Sequence, residues 1–232
     1  MRRMQIINNP TIKEHYVRLL DTRFSSNFIC DFVEFQSGQL ILRQGEELNN
    51  LYFLMRGKVK IYSTSVEGKR LIVAFNRPIQ LFGDIELVQA SSNLNSVEAV
   101  GPVHLLRFSK NEANRLRLKT PFNEYLLELI SRKFYTKSQV LSFHLLYEAS
   151  TRFASYLISI SHNEFGQFIE PLVKKKELYE IAEFIGITAR HQNRIIQKFM
   201  EENILQRTNE GILIVEPLLL KRKATDNIYE MQ

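Results

Sequence analysis

Thr188 to Met200 contains three bases, Arg190, Arg194 and Lys198, and no acid. Wound as a helix of ~3.6 residues per turn, the segment places Ala189, Arg190, Asn193, Arg194 and Gln197 in one stripe and Ile195, Ile196 and Phe199 on the opposite face. Arginine pairs bidentately with guanine O6 and N7, and Asn and Gln with adenine N6 and N7, so this stripe suits base edges in the major groove of double-stranded DNA. Arg190, Asn193, Arg194 and Gln197 are the candidate base contacts. The competing reading is a solvated amphipathic face, but such a face ordinarily mixes charge signs and has no need of small residues around it. His191, on the same segment, is read as a DNA-facing or packing residue.

Other chemistry is sparse. The histidines His15, His104, His144, His162 and His191 show no paired spacing for a metal, and neither a Gly-rich phosphate loop nor a nucleophile elbow occurs. No catalytic residue, metal or cofactor is therefore expected, and the chain is read as a non-enzyme. The single cysteine, Cys30, cannot by itself supply a disulfide framework, an iron–sulfur cluster or a structural zinc site. Its neighbours Phe28, Ile29 and Phe32 favour a core thiol; a redox thiol is the alternative.

The stripe needs elements to hold it. Upstream, Ile181, Ala182 and Ile185 mark the buried face of a preceding helix, Gly186 makes a tight turn, and Thr188 caps the second helix, which together predict a helix-turn-helix. Downstream, Ile204 to Val215 reads as two short strands around Asn209-Glu210-Gly211, a wing from which Arg207 reaches phosphate. Thr188, Lys198 and the run Lys174-Lys175-Lys176 are further phosphate candidates, although the lysine run reads equally well as a solvated stretch.

The remainder has a different texture. From Phe32 to Phe108, short apolar runs are broken about every ten residues by turn signals, which predicts a small antiparallel roll or barrel. Leu51–Leu54 and Val59–Tyr62 flank Arg56-Gly57 as a hairpin would, and Ile61–Ser63 and Leu71–Val73 flank Glu67-Gly68 in the same way. Thr120 as N-cap and Pro121 as first helical residue then begin a long helix. Leu127, Ile130, Phe134, Leu141 and Leu145 form its apolar stripe, suited to a parallel dimer or to packing on the chain's own roll. Glu148-Ala149-Ser150 is the expected hinge into a second helix, Thr151 to Ser161. The fold class expected is α+β: a β-roll over residues 1–118, a dimerisation helix over 119–147 and a winged helix-turn-helix over 148–232.

Of 31 basic and 25 acidic residues, 20 and 14 lie in residues 1–150, and the rest are balanced at 11 each. The net charge of +6 is thus carried by the half not expected to touch DNA and says nothing for nucleic acid. No apolar run approaches the ~18 residues of a membrane span, and Met1 to Pro10 lacks the apolar stretch of a secretory signal, so the expected location is the cytoplasm.

Five segments, Gln44-Gly45-Glu46, Leu51-Tyr-Phe-Leu-Met-Arg-Gly57, Glu67-Gly68-Lys69, Leu81-Phe-Gly-Asp-Ile-Glu-Leu87 and Gly186-Ile-Thr-Ala-Arg-His-Gln-Asn-Arg194, together with the order of parts, resemble the Crp/Fnr family of transcriptional regulators from Phe32 to Val215. Phe82–Leu87 and the Arg190-His191 pair are most similar to its YeiL-like branch. The resemblance implies a cyclic-nucleotide-type effector pocket involving Gly83, Asp84, Ile85, Leu94 and Asn95, a homodimer on a two-fold symmetric promoter site, and RNA polymerase as a partner. It also implies two departures. Members that bind cyclic AMP carry Gly-Glu where this chain has Gly83-Asp84, and an arginine for the phosphate where it has Leu94 and Asn95, with none between Asp84 and Arg107. A buried phosphate without a cation is costly, so another small molecule, or no effector, is expected. In the recognition segment, Ser-Arg-Glu-Thr-Val followed two residues on by Arg becomes Thr188, Ala189, Arg190, His191, Gln192 and Arg194, so the family's common half-site does not transfer.

Overall fold

The computed structural model describes residues 5–7, 9–24, 28–161, 168 and 171–224. Met1 and His162, both invoked above, lie outside the described residues. The chain forms two units, residues 1–133 and 134–232.

The first unit opens with a short strand, β1 (Gln5–Ile6), and a helix, α1 (Pro10–Phe24). The strands β2 (Asp31–Phe35), β3 (Leu40–Leu42), β4 (Asn50–Arg56), β5 (Val59–Thr64), β6 (Arg70–Asn76) and β7 (Gln80–Phe82) come next. A short helix, α2 (Asp84–Gln89), separates these from β8 (Ser96–Ala99) and β9 (Val103–Ser109). Two antiparallel sheets result, in the orders β1-β2-β9-β4-β7 and β3-β8-β5-β6. Phe32, Phe53, Phe108, Leu51, Leu54 and Leu105 are almost fully buried in the core. Each such side chain contributes about 1.5–3 kcal/mol by leaving water. After α3 (Lys110–Arg117), the long helix α4 (Thr120–Leu146) begins with Thr120 in its first turn rather than capping it, and lays Phe122, Leu126 and Leu129 into the same core.

Two features of this unit differ from the sequence expectation. The β4 and β5 strands do not pair: β4 lies between β9 and β7, and β5 between β8 and β6. Gly57 therefore carries the chain from one sheet to the other. Its φ of +93° is in the left-handed region, and a Cβ there would sit 2.6 Å from the Pro102 carbonyl oxygen. The second predicted hairpin does form, with Tyr62 opposite Ile72 and Ser63 opposite Leu71. Helix α1 has no clear sign in the sequence: among its described side chains, Tyr16, Val17 and Leu20 are the apolar ones packed on the core, and they make a weak periodic signal. Tyr16 Oη lies 3.1 Å from His104 Nδ1, and burial lowers the His104 pKa. Cys30 is buried in this core, and burial pushes its thiol pKa up.

The second unit takes the end of α4, then α5 (Ala149–Ser161), β10 (Leu172–Lys174), α6 (Lys175–Ile185), α7 (Ala189–Glu201), β11 (Leu205–Arg207), β12 (Gly211–Ile214) and α8 (Pro217–Lys223). The break between α4 and α5 falls at Tyr147 and Glu148, so α5 starts two residues before Thr151. β10, β12 and β11 form an antiparallel sheet in that order, which adds one strand to the predicted hairpin. Phe153, Leu157, Ile185, Phe199 and Leu220 are buried here, with the Phe153 and Phe199 rings 6.2 Å apart.

Candidate nucleic-acid interface

Helices α6 and α7 meet through a three-residue turn. Gly186 ends α6 with φ +69°, its N–H bonding the Ala182 carbonyl, and Ile187 N donates to the same oxygen at 3.0 Å. A left-handed residue with this pattern of bonds closes a helix and reverses the chain at once. Thr188 Oγ1 accepts from His191 N at 3.2 Å and so caps α7. On the far side of the turn, Arg152 of α5 donates from Nη1 to the Ile185 carbonyl at 2.6 Å, tying α5 to the end of α6.

The inward face of α7 is Gln192, Ile195, Ile196 and Phe199. Gln192 is buried and donates from Nε2 to the Leu178 carbonyl at 2.7 Å, so a polar residue in an apolar position is satisfied from α6. The outward face exposes Ala189, Arg190, His191, Asn193, Arg194, Gln197 and Lys198. Two of these side chains are held. Arg207, on β11, donates from Nη2 to Asn193 Oδ1 at 3.1 Å, and Gln197 Nε2 donates to Glu201 Oε1 at 3.3 Å. Lys174, Lys175 and Lys176 are exposed across the end of β10 and the first turn of α6. Lys174 N donates to Glu177 Oε2 at 2.8 Å and Lys175 N to the Glu210 carbonyl at 2.9 Å.

The α2 region of the first unit is arranged differently. Asp84 is 3% exposed, and both its carboxylate oxygens lie 2.9 Å from Lys133 Nζ, which also donates to the Leu81 carbonyl at 2.6 Å. Glu86, also buried, accepts from Leu94 N through Oε1 at 2.9 Å. Gly83 is buried, Ile85 and Asn95 half-buried, and the Leu94 side chain exposed.

Along α4, Leu127, Phe134, Leu141 and Leu145 are 69%, 72%, 60% and 76% exposed, whereas Ile130 is half-buried against the core of the first unit. The stripe read from the sequence thus divides between two surroundings.

The cyclic nucleotide-binding domain model matches residues 32–119. The regulatory protein YeiL of Escherichia coli O157:H7 is 23% identical over 84% of this chain and 88% of its own length. The fumarate and nitrate reduction regulatory protein of Yersinia pestis is 24% identical over 88% and 80%. Among solved structures, a regulator of the Crp/Fnr family from Eubacterium rectale superposes with a TM-score of 0.74 at 16% identity, over 93% of this chain and 97% of that one. The chain is thus similar over most of its length to transcriptional regulators of the Crp/Fnr family, and its fold is theirs. The c-di-GMP-responsive global regulator CLP of Xanthomonas campestris shares the fold, with a TM-score of 0.70 at 13% identity over 88% and 99%.

Within this fold, the buried carboxylate at the start of α2 is paired inside the protein. Asp84 is ion-paired with Lys133, and neither Leu94 nor Asn95 carries a charge. Lys133 was not singled out in the sequence, where it is one base in Arg132-Lys133 with no mark of its partner. The links from Arg207 to Asn193 and from Glu201 to Gln197 went unread as well. Glu201 lies four residues beyond Gln197 and was legible from helical spacing; Arg207, on another element, was not.

Proposed function

We propose that this regulator acts as a homodimer on a two-fold symmetric promoter site, with α7 in the major groove. The outward face of α7 carries the reading: Arg190, Asn193, Arg194 and Gln197 are exposed together on the second helix of a helix-turn-helix. In this reading Arg190 and Arg194 contact bases, assisted by Asn193 and Gln197. Thr188, Lys174, Lys175, Lys176 and Lys198 contact phosphates, and Arg207 reaches the duplex from the wing. The exposed apolar positions Leu127, Phe134, Leu141 and Leu145 support pairing of α4 with its copy, Ile130 contributing from its half-buried position. Residues 1–118, 119–147 and 148–232 then serve as sensor, dimer helix and DNA-binding domain.

The protein works in the cytoplasm, together with RNA polymerase and without catalysis. Among the described residues, no helix is long and apolar enough to cross a membrane. Its effector, where one is used, is a small molecule other than cyclic AMP, since Asp84 is engaged by Lys133 and neither Leu94 nor Asn95 is a cation.

Selection of bound sequences from a random duplex pool, with the purified chain alone and with a low-molecular-mass cell extract, tests this. The expected result is a palindrome with half-sites about one helical turn apart and a steep loss of affinity with salt. No enriched sequence under either condition would overturn the proposal.

A further inference from the structure

Resting on the DNA-binding reading above, we infer that Arg207 is a specificity-determining residue, which acts by holding Asn193 as a hydrogen-bond donor toward the base it faces. Arg207 Nη2 donates to Asn193 Oδ1 at 3.1 Å. A guanidinium carries donors and no acceptor, so the atom of the Asn193 amide turned toward it must be the oxygen. The amide NH2 is then the end left to a base.

Asparagine without such a tether reads adenine bidentately, receiving a bond from N6 at its oxygen and giving one to N7. With a guanidinium at that oxygen, the N6 amino group would bring a second donor against a positive charge. The favoured base is one that presents acceptors, which are O6 and N7 for guanine and O4 for thymine. Arg190 and Arg194, on the same face, are likewise donors only. Gln197 is tethered in the opposite sense: its Nε2 gives a hydrogen to Glu201 Oε1 at 3.3 Å, which turns its oxygen away from the carboxylate and leaves an acceptor on the next turn. Both Asn193 and Arg207 are exposed, so the contact between them adds little to stability and has its consequence where water is excluded by DNA.

Selections from a random duplex pool with the full-length wild type, Arg207→Ala and Arg207→Lys test this. The wild type should enrich guanine or thymine at one position of each half-site, and Asn193→Ala should erase that preference and no other. Arg207→Ala should move the same position toward adenine by roughly tenfold while leaving the others unchanged. Arg207→Lys, with a donor but no planar fork, should fall between. Adenine at that position in the wild type, or an Arg207→Ala protein that binds every sequence more weakly with its base preferences intact, would overturn the inference and leave the DNA reading standing. Failure of the wild type to enrich any sequence, both alone and with the cell extract, would overturn both.

Discussion

The turn before α2 and the outward face of α7 both gather charged and polar side chains around a helix, yet they treat them in opposite ways. At α2, Asp84 is buried and meets its counter-charge, Lys133, within the same unit, while Glu86 is closed by a backbone N–H. At α7, Arg190 and Arg194 stand in solvent, and the contacts made by Asn193 and Gln197 leave one end of each amide outward. A buried charge needs a partner from the protein, because the interior offers no water to replace it. An exposed charge needs none and stays available to another molecule. The contrast leaves the polar groups of α7 open to another molecule, while those of α2 are engaged within the protein.

The largest expected effect breaks the buried side of this contrast. Lys133→Met should leave Asp84 without compensation and cost about 3–5 kcal/mol by chemical denaturation, and Asp84→Leu added to it should recover most of the loss. A loss below about 1 kcal/mol would mean that water already reaches the pair. On the exposed side, Arg194→Ala should leave denaturation unchanged and weaken binding to the selected site by about 1–3 kcal/mol. Lys198→Ala should weaken all sequences alike and lower the salt slope by about one. Equal behaviour of the two variants would dissolve the division between base and phosphate contacts.

His144 lies between these extremes, half-buried near the end of α4, with its ring 6.2 Å from that of Phe184. Burial, and then the positive charge of Arg152, push its pKa down from 6.5 to about 4. The folded state thus holds the ring neutral where the unfolded chain would take a proton. The stability this gives is complete above pH 6.5 and is lost as pH falls from 6.5 toward 4. Discounted for the solvent that reaches the ring, it amounts to about 1–2 kcal/mol. The denaturation midpoint of the wild type should fall relative to that of His144→Gln as pH drops across that interval; parallel curves would show that the ring does not titrate with folding. The smallest effect is at the α7 cap, where Thr188→Ala should cost about 1 kcal/mol and Thr188→Asp should retain stability while repelling phosphate.

The helix-turn-helix was the most legible part of the fold. Ile181, Ala182, Ile185, Ile195, Ile196 and Phe199 are all buried, as their spacing requires, and Gly186 makes the turn. The roll was legible as a class but not as a topology. The run from Leu51 through Tyr62 has the appearance of a hairpin around Gly57, but its two halves are in different sheets, a difference set by partners as distant as β8 and β9. The α4 stripe reads as one surface in the sequence, although Ile130 is half-buried and Phe134 is exposed. Periodicity shows which residues share a face, not where along a helix that face stops being covered.

By itself, then, the sequence determined what local geometry can carry: the period of α6 and α7, the reversal at Gly186, the cap at Thr188 and the chemical type of the exposed stripe. Each depends on residues within about one or two helical turns, where covalent connection sets the distances. The tertiary structure alone decided that Lys133 closes Asp84, 49 residues away, that Gln192 finds the Leu178 carbonyl, and that Arg207 reaches Asn193 from the wing. Such pairs have no periodicity to betray them, because their distances are fixed by the packing of separate elements. For that reason the exposed polar stripe of α7 could be listed from the sequence, while the tether between Arg207 and Asn193 could not.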